Sequence, residues 1–138
     1  MQPGEDSMGR ENLVMEIRKQ LGDAVLEVQH KSDQRVYLDI AAETLKPASS
    51  LMLDQLGARF QIATGVDSRD GFEVMYHWAM DELGCVITLR ILLDHAKPEL
   101  QSIALMCPAA EWIEREMWEL LGIQFIGHDP IRIDQYLV

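Results

Sequence analysis

The chain has 138 residues, 48% hydrophobic and 25% charged, which suits one domain with a buried core and excludes extensive disorder. Its 23 acidic against 12 basic residues give a net charge of −11, a field that repels nucleic acid and anionic lipid and suits a basic protein partner. No apolar run reaches the roughly 18 residues that cross a bilayer, and the opening MQPGEDSMGR lacks the basic-then-apolar order of a secretory signal.

Residues 1–10 are expected to form a flexible tail and residues 11–138 a single domain. From Glu11 to Gly22, Leu13, Ile17 and Leu21 recur at helical spacing with Val14 beside them. Two alternating stretches follow. AVLEVQH places Ala24, Leu26 and Val28 on one side, and RVYLDI places Val36, Leu38 and Ile40 likewise. The KSDQ between them predicts a hairpin turn. Pro47 to Gly57 reads as a second helix, with Pro47 in its first position and Leu53 and Leu56 facing inward.

RFQIATGV then predicts a strand with Phe60 and Ile62 on one face. GFEVMYHWAM aligns Phe72, Val74, Tyr76, Trp78 and Met80, and CVITLRILLD aligns Ile87, Leu89, Ile91 and Leu93. With DSRDG and DELG as turns, these three stretches predict an antiparallel meander. Ile103 to Met106 is a candidate short strand, and Pro108 opens a last helix ending near Gly122. The order of elements implies an α+β fold: a mostly antiparallel sheet of about five strands with helices on one face. The other sheet face, carrying Glu27, Arg35, Asp39, Gln61, Glu73 and Arg90, is either solvated or an interface.

Few patterns of catalytic or cofactor chemistry occur. His30, His77, His95 and His128 are scattered, with no two at ligand spacing. No glycine-rich nucleotide loop or GxSxG elbow is present. Cys85 and Cys107 stand far apart outside any CxxC and read as reduced core residues of a cytosolic protein. An iron-sulfur cluster takes about four thiolates, so no cofactor is expected in this chain.

The last helix is the unusual segment. In helical projection Ala109, Trp112, Ile113, Met117, Leu120 and Leu121 share one arc, and Glu111, Arg115, Trp118 and Glu119 share the other. Arg115 stands four residues from both Glu111 and Glu119. Glu116 falls within the apolar arc, so it is expected to be buried with a hydrogen-bond partner, and Trp118 is expected to project outward as an interface anchor. Three readings stand: a solvated charged face over a buried Glu116, a docking surface for another chain, or an acid/base pair of Glu114 and Glu116 in a cleft.

This helix and its sequel resemble the 30-kDa subunit family of respiratory complex I, which also occurs in related membrane-bound nickel-iron hydrogenases. The family signature is matched by Glu114-Arg115-Glu116, then Glu119-Leu120-Leu121, His128 and Arg132. PAAEW and LGIQFIGH flank it in the family manner, and Tyr76-His77 match a motif upstream. Asp129-Pro130 invert the family's usual order, and Asp134 stands where an aliphatic residue is usual. The chain given runs to Val138, where complex I versions usually continue, and a short stand-alone form is expected.

The resemblance implies a non-catalytic, cofactor-free subunit of a hydrophilic arm. Its implied neighbours are the large subunit (49-kDa or hydrogenase-large-like) and adjoining iron-sulfur subunits. Its implied location is the cytoplasm, peripheral to the inner face of the cell membrane through its complex. The candidate partner-binding or motif residues are Glu114, Arg115, Glu116, Trp118, Glu119, His128 and Arg132: Arg115 and Trp118 are expected to dock at the surface, and Glu116, His128 and Arg132 to fix the segment after the helix. A free-standing homo-oligomeric binding module using the open sheet face is the alternative.

Overall fold

The computed structural model describes residues 3–127, with side chains from residue 9 onward. Helix α1 (Pro3–Leu21) leads into strands β1 (Val25–Ser32) and β2 (Arg35–Ile40). Helix α2 (Leu45–Ser50) continues as a π-helical turn over Leu51–Gln55. Strands β3 (Arg59–Ser68), β4 (Gly71–Met80) and β5 (Cys85–Leu93) follow, then β6 (Glu99–Gln101), α3 (Ala109–Leu121) and β7 (Gln124–Ile126). The expected tail is therefore helical from Pro3, and α2 starts at Leu45, two residues ahead of the expected Pro47.

The main sheet has the order β1-β2-β5-β4-β3. The hairpin and the meander are antiparallel, as expected, and they join through a parallel pairing of β2 with β5, Val36 opposite Ile87 and Leu38 opposite Leu89. The sheet is thus mixed. The inward rows Val36–Leu38, Val74–Tyr76–Trp78 and Ile87–Leu89–Ile91 are fully buried and form one core with Ile17, Leu45, Met52 and Met117 from the helical side. Leu53 and Leu56 pack on this core from the π-helical turn and its end.

Two bulges change which residues face the core. The register of β1 shifts between Val25 and Glu27, which buries Val25 and leaves Leu26 two-thirds exposed. The register of β3 shifts between Phe60 and Ile62. Phe60 then lies opposite Trp78 on the core side, while Ile62 lies opposite His77 on the open side. Strict alternation places both Leu26 and Ile62 inward, and one extra residue per strand reverses that.

Ile103–Met106 forms no strand. The short strand there is β6, which pairs in parallel with β7 after α3, Leu100 opposite Phe125. Ser102 N–H donates to Ile126 O at 2.8 Å, so the two segments flanking α3 are tied together.

A carboxyl-anchored helix and its outward stripe

Helix α3 begins after Pro108, whose fixed φ suits a helix start, and ends at Gly122, whose φ of +77° lies in the left-handed region that glycine enters at low cost. Its buried positions are Ala110, Glu114, Arg115 and Met117. Ala110, Glu114, Met117 and the half-buried Leu121 alternate four- and three-residue steps, the spacing of one helix face. Gly65 on β3 permits the helix to come close to the sheet: a Cβ there would lie 2.9 Å from Leu121 Cδ1 and 3.0 Å from Met117 Sδ.

The polar residue on this inward face is Glu114, not Glu116. Glu114 is fully buried. Tyr76 O–H donates to its Oε2 at 2.7 Å, Ser102 O–H donates to its Oε1 at 2.5 Å, and Ile103 N–H donates to Oε2 at 3.1 Å. Burial, reinforced by the neighbouring Glu114, holds the Tyr76 phenol well above its usual range, so it stays protonated as a donor. These donors offset the cost of removing a carboxyl group from water. They also bond α3 to the centre of the sheet through Tyr76 and to the segment after β6 through Ser102 and Ile103.

Arg115 is buried as well, at 6% exposure, rather than displayed on the outer face. Its guanidinium carbon lies 3.7 Å from the centre of the Trp112 ring, and its Nε lies 3.7 Å from Glu119 Oε1. Trp112, expected inside, is 55% exposed, and Trp118, expected outside, is half-buried. The Trp112 indole N–H donates to Glu116 Oε1 at 3.1 Å. Trp112, Glu116 and Leu120 therefore form an outward stripe at four-residue spacing, with Leu120 at 80% exposure. The projection groups these three residues correctly but turns their face inward. The sheet takes the narrower Ala110–Met117 face because Glu114 finds donors there.

Glu114 and Glu116 stand about 200° apart around the helix, so they share no cleft and form no acid/base pair. His128 and Arg132 lie outside the described residues. Burial raises the thiols of Cys85 and Cys107 above the ordinary value, which keeps both protonated and poorly nucleophilic. Among the described residues, no three His, Cys, Asp or Glu side chains gather as a metal site requires.

The opposite sheet face is polar and partly exposed. Arg90 donates to Glu73 Oε1 at 2.5 Å and lies 3.7 Å from Asp39 Oδ1, one cation shared by two acids across three strands. His77 Nδ1 is 2.7 Å from Thr88 Oγ1. Burial first, then the nearby Arg35 charge, pushes the His77 pKa down.

A mixed five-stranded sheet with a carboxyl-anchored helix on one face defines the chain as a two-layer α+β domain. The chain belongs to the family described as "Respiratory-chain NADH dehydrogenase, 30 Kd subunit", whose model matches residues 38–134. It is 42% identical over 69 residues to the C/D-type NADH-quinone oxidoreductase subunit of Methylococcus capsulatus, covering 46% of this chain and 12% of that protein. It is 28% identical over 134 residues to the C-type NADH-quinone oxidoreductase subunit of Acidithiobacillus ferrooxidans, covering 88% of this chain and 66% of that one. The chain thus spans less than two thirds of either relative. A chain in the structure of the membrane-bound sulfane sulfur reductase, an archaeal respiratory membrane complex, has the same fold, with a TM-score of 0.76, 22% identity, and coverage of 88% of this chain and 72% of that one. Among the described residues no helix is long and apolar enough to cross a membrane.

Proposed function

We propose that this chain is a non-catalytic subunit in the hydrophilic arm of a complex I-like NADH:quinone oxidoreductase or a related membrane-bound hydrogenase. It docks on the large catalytic subunit and the adjoining iron-sulfur subunits, and through them lies against the cytoplasmic side of the membrane. The observation that carries this reading is the outward stripe Trp112–Glu116–Leu120 on a helix anchored from within by Glu114. Trp112, with the Arg115 guanidinium carbon 3.7 Å from the centre of its ring, pairs two residue types enriched in interface hot spots, and the exposed Leu120 extends the apolar surface beside them. The helix beneath is fixed before any partner arrives, so little ordering opposes docking. The supporting context is the family membership over residues 38–134.

The test is affinity purification of the tagged chain from its source cells, with mass spectrometry of what accompanies it and metal analysis of the eluate. Recovery of a large quinone-oxidoreductase or hydrogenase subunit with iron supports the proposal. A lone homo-oligomer overturns it. Trp112→Ala is expected to lower recovery of the large subunit at least tenfold.

A further inference from the structure

Strand β3 is the last strand of the sheet, and among the described residues its one strand neighbour is β4. Natural proteins blunt such edges with charges, prolines, bulges or a covering element, and β3 has its bulge at Gln61, at one end of the stretch that follows. From Gln61 to Val66 the sequence QIATGV carries no charge and no proline. Ile62 and Val66 are 48% and 45% exposed. Beside this edge runs an apolar groove of about 320 Å³ between β3 and α3, lined by Ile62, Gly65, Ile113, Glu116, Met117 and Leu120 among others. The missing side chain of Gly65 gives the groove its floor of Met117 and Leu121 atoms.

We infer that this edge and groove together seat a strand from a partner subunit. An extended segment pairs with Gln61–Val66 as a sixth strand, lowers an aliphatic side chain into the groove, and sets a lysine or arginine against Glu116. An extended backbone is the ligand that satisfies a row of edge N–H and C=O groups, and side chains at alternate positions reach the groove. Charge selects the occupant. Among the described residues the partner of the Glu116 carboxylate is the neutral Trp112 indole, so its charge is uncompensated. A net charge of −11 opposes a second copy of this chain and favours a basic segment. This inference rests on the docking reading above and adds where, and in what conformation, the partner's chain lies.

Amide hydrogen exchange, read by mass spectrometry on the full chain alone and in the complex purified from its source cells, tests it. The amides of Gln61–Val66 are expected to exchange at least tenfold more slowly in the complex. Val66→Lys, which places a charge in the uncharged stretch Gln61–Val66, is expected to weaken partner recovery at least tenfold with an unchanged thermal melt. Equal exchange of Gln61–Val66 in an intact complex overturns the edge pairing and leaves the docking reading standing. Failure to recover any complex overturns both. Slowed exchange in a homodimer, with no second polypeptide present, overturns the assignment to a basic partner.

Discussion

The Tyr76 phenol and the Glu114 carboxyl meet 2.7 Å apart at the centre of the sheet, both fully buried. This contact joins strand β4 to helix α3, and the stability of the outward stripe depends on it. Tyr76→Phe removes one of the donors and leaves Glu114 buried with fewer. The expected loss is about 1–3 kcal/mol of folding free energy, read as a lower midpoint in a urea titration with an unchanged slope. Glu114→Gln is expected to cost at least as much, because an amide nitrogen then faces donors. An unchanged midpoint for both variants would mean that the network does not hold the helix.

Gly65→Ala probes the closeness of α3 to β3. The added Cβ meets Leu121 Cδ1 at 2.9 Å and Met117 Sδ at 3.0 Å, both flexible side-chain atoms. The cost of such overpacking is about 1–3 kcal/mol. Gly65→Ala combined with Met117→Ala is expected to cost less than the sum of the single changes, because the truncation clears the space that the new Cβ occupies. Simple additivity of the two would refute the contact.

Acid should destabilise the domain through His77. Its folded pKa lies below the ordinary 6.5 because burial, then the Arg35 charge, disfavours the imidazolium. The unfolded chain therefore binds the proton more readily, so this contribution is fully present above about pH 6.5 and is lost as pH falls through the folded pKa. His77→Gln should flatten the stability profile between about pH 7 and 5 relative to the parent chain. The pKa of Asp39, raised by burial above 3.8, gives a slope of the opposite sign in its own range, and the difference between parent and variant isolates His77. Identical profiles for the two chains would exclude His77 as the source.

The thiols supply a check on packing. Cys85 and Cys107 are both buried and both raised in pKa by that burial. Neither is expected to react with an aromatic disulfide reagent at pH 8 in the native chain, and both should react at once in denaturant. Rapid labelling of the native chain would show that the core opens on a short timescale.

Much of this architecture is legible in the residues themselves. The alternation of Val74, Tyr76 and Trp78 against Ile87, Leu89 and Ile91 yields the meander, and the turn residues yield its connections. The parallel seam between β2 and β5 is not legible, because alternation says nothing about which edge meets which. Bulges at Leu26 and Gln61 are silent for a related reason: one extra residue leaves no mark in composition. Of the candidate site, the Glu114 to Glu119 segment is visible, but not which glutamate goes inside. A helical projection ranks faces by hydrophobicity, and it sends Trp112 and Leu120 inward with Glu116 between them. The choice is made by donors elsewhere in the chain: a hydroxyl on β4, and a hydroxyl and an amide after β6. Gly65, where Met117 and Leu121 of the helix crowd the backbone of β3, is the available signal.

The seam between β2 and β5 has a consequence for how the molecule comes into being. Residues Arg35–Asp39 wait for partners Val86–Arg90, about fifty residues later in the chain. The hairpin and the meander each form from near neighbours, whereas the seam closes a long loop and belongs to the slow part of folding. A ribosome making this protein therefore holds an incomplete sheet, with β2 paired to β1 on one side and its other edge open until β5 has emerged, and that interval is when a chaperone or a wrong strand would find it.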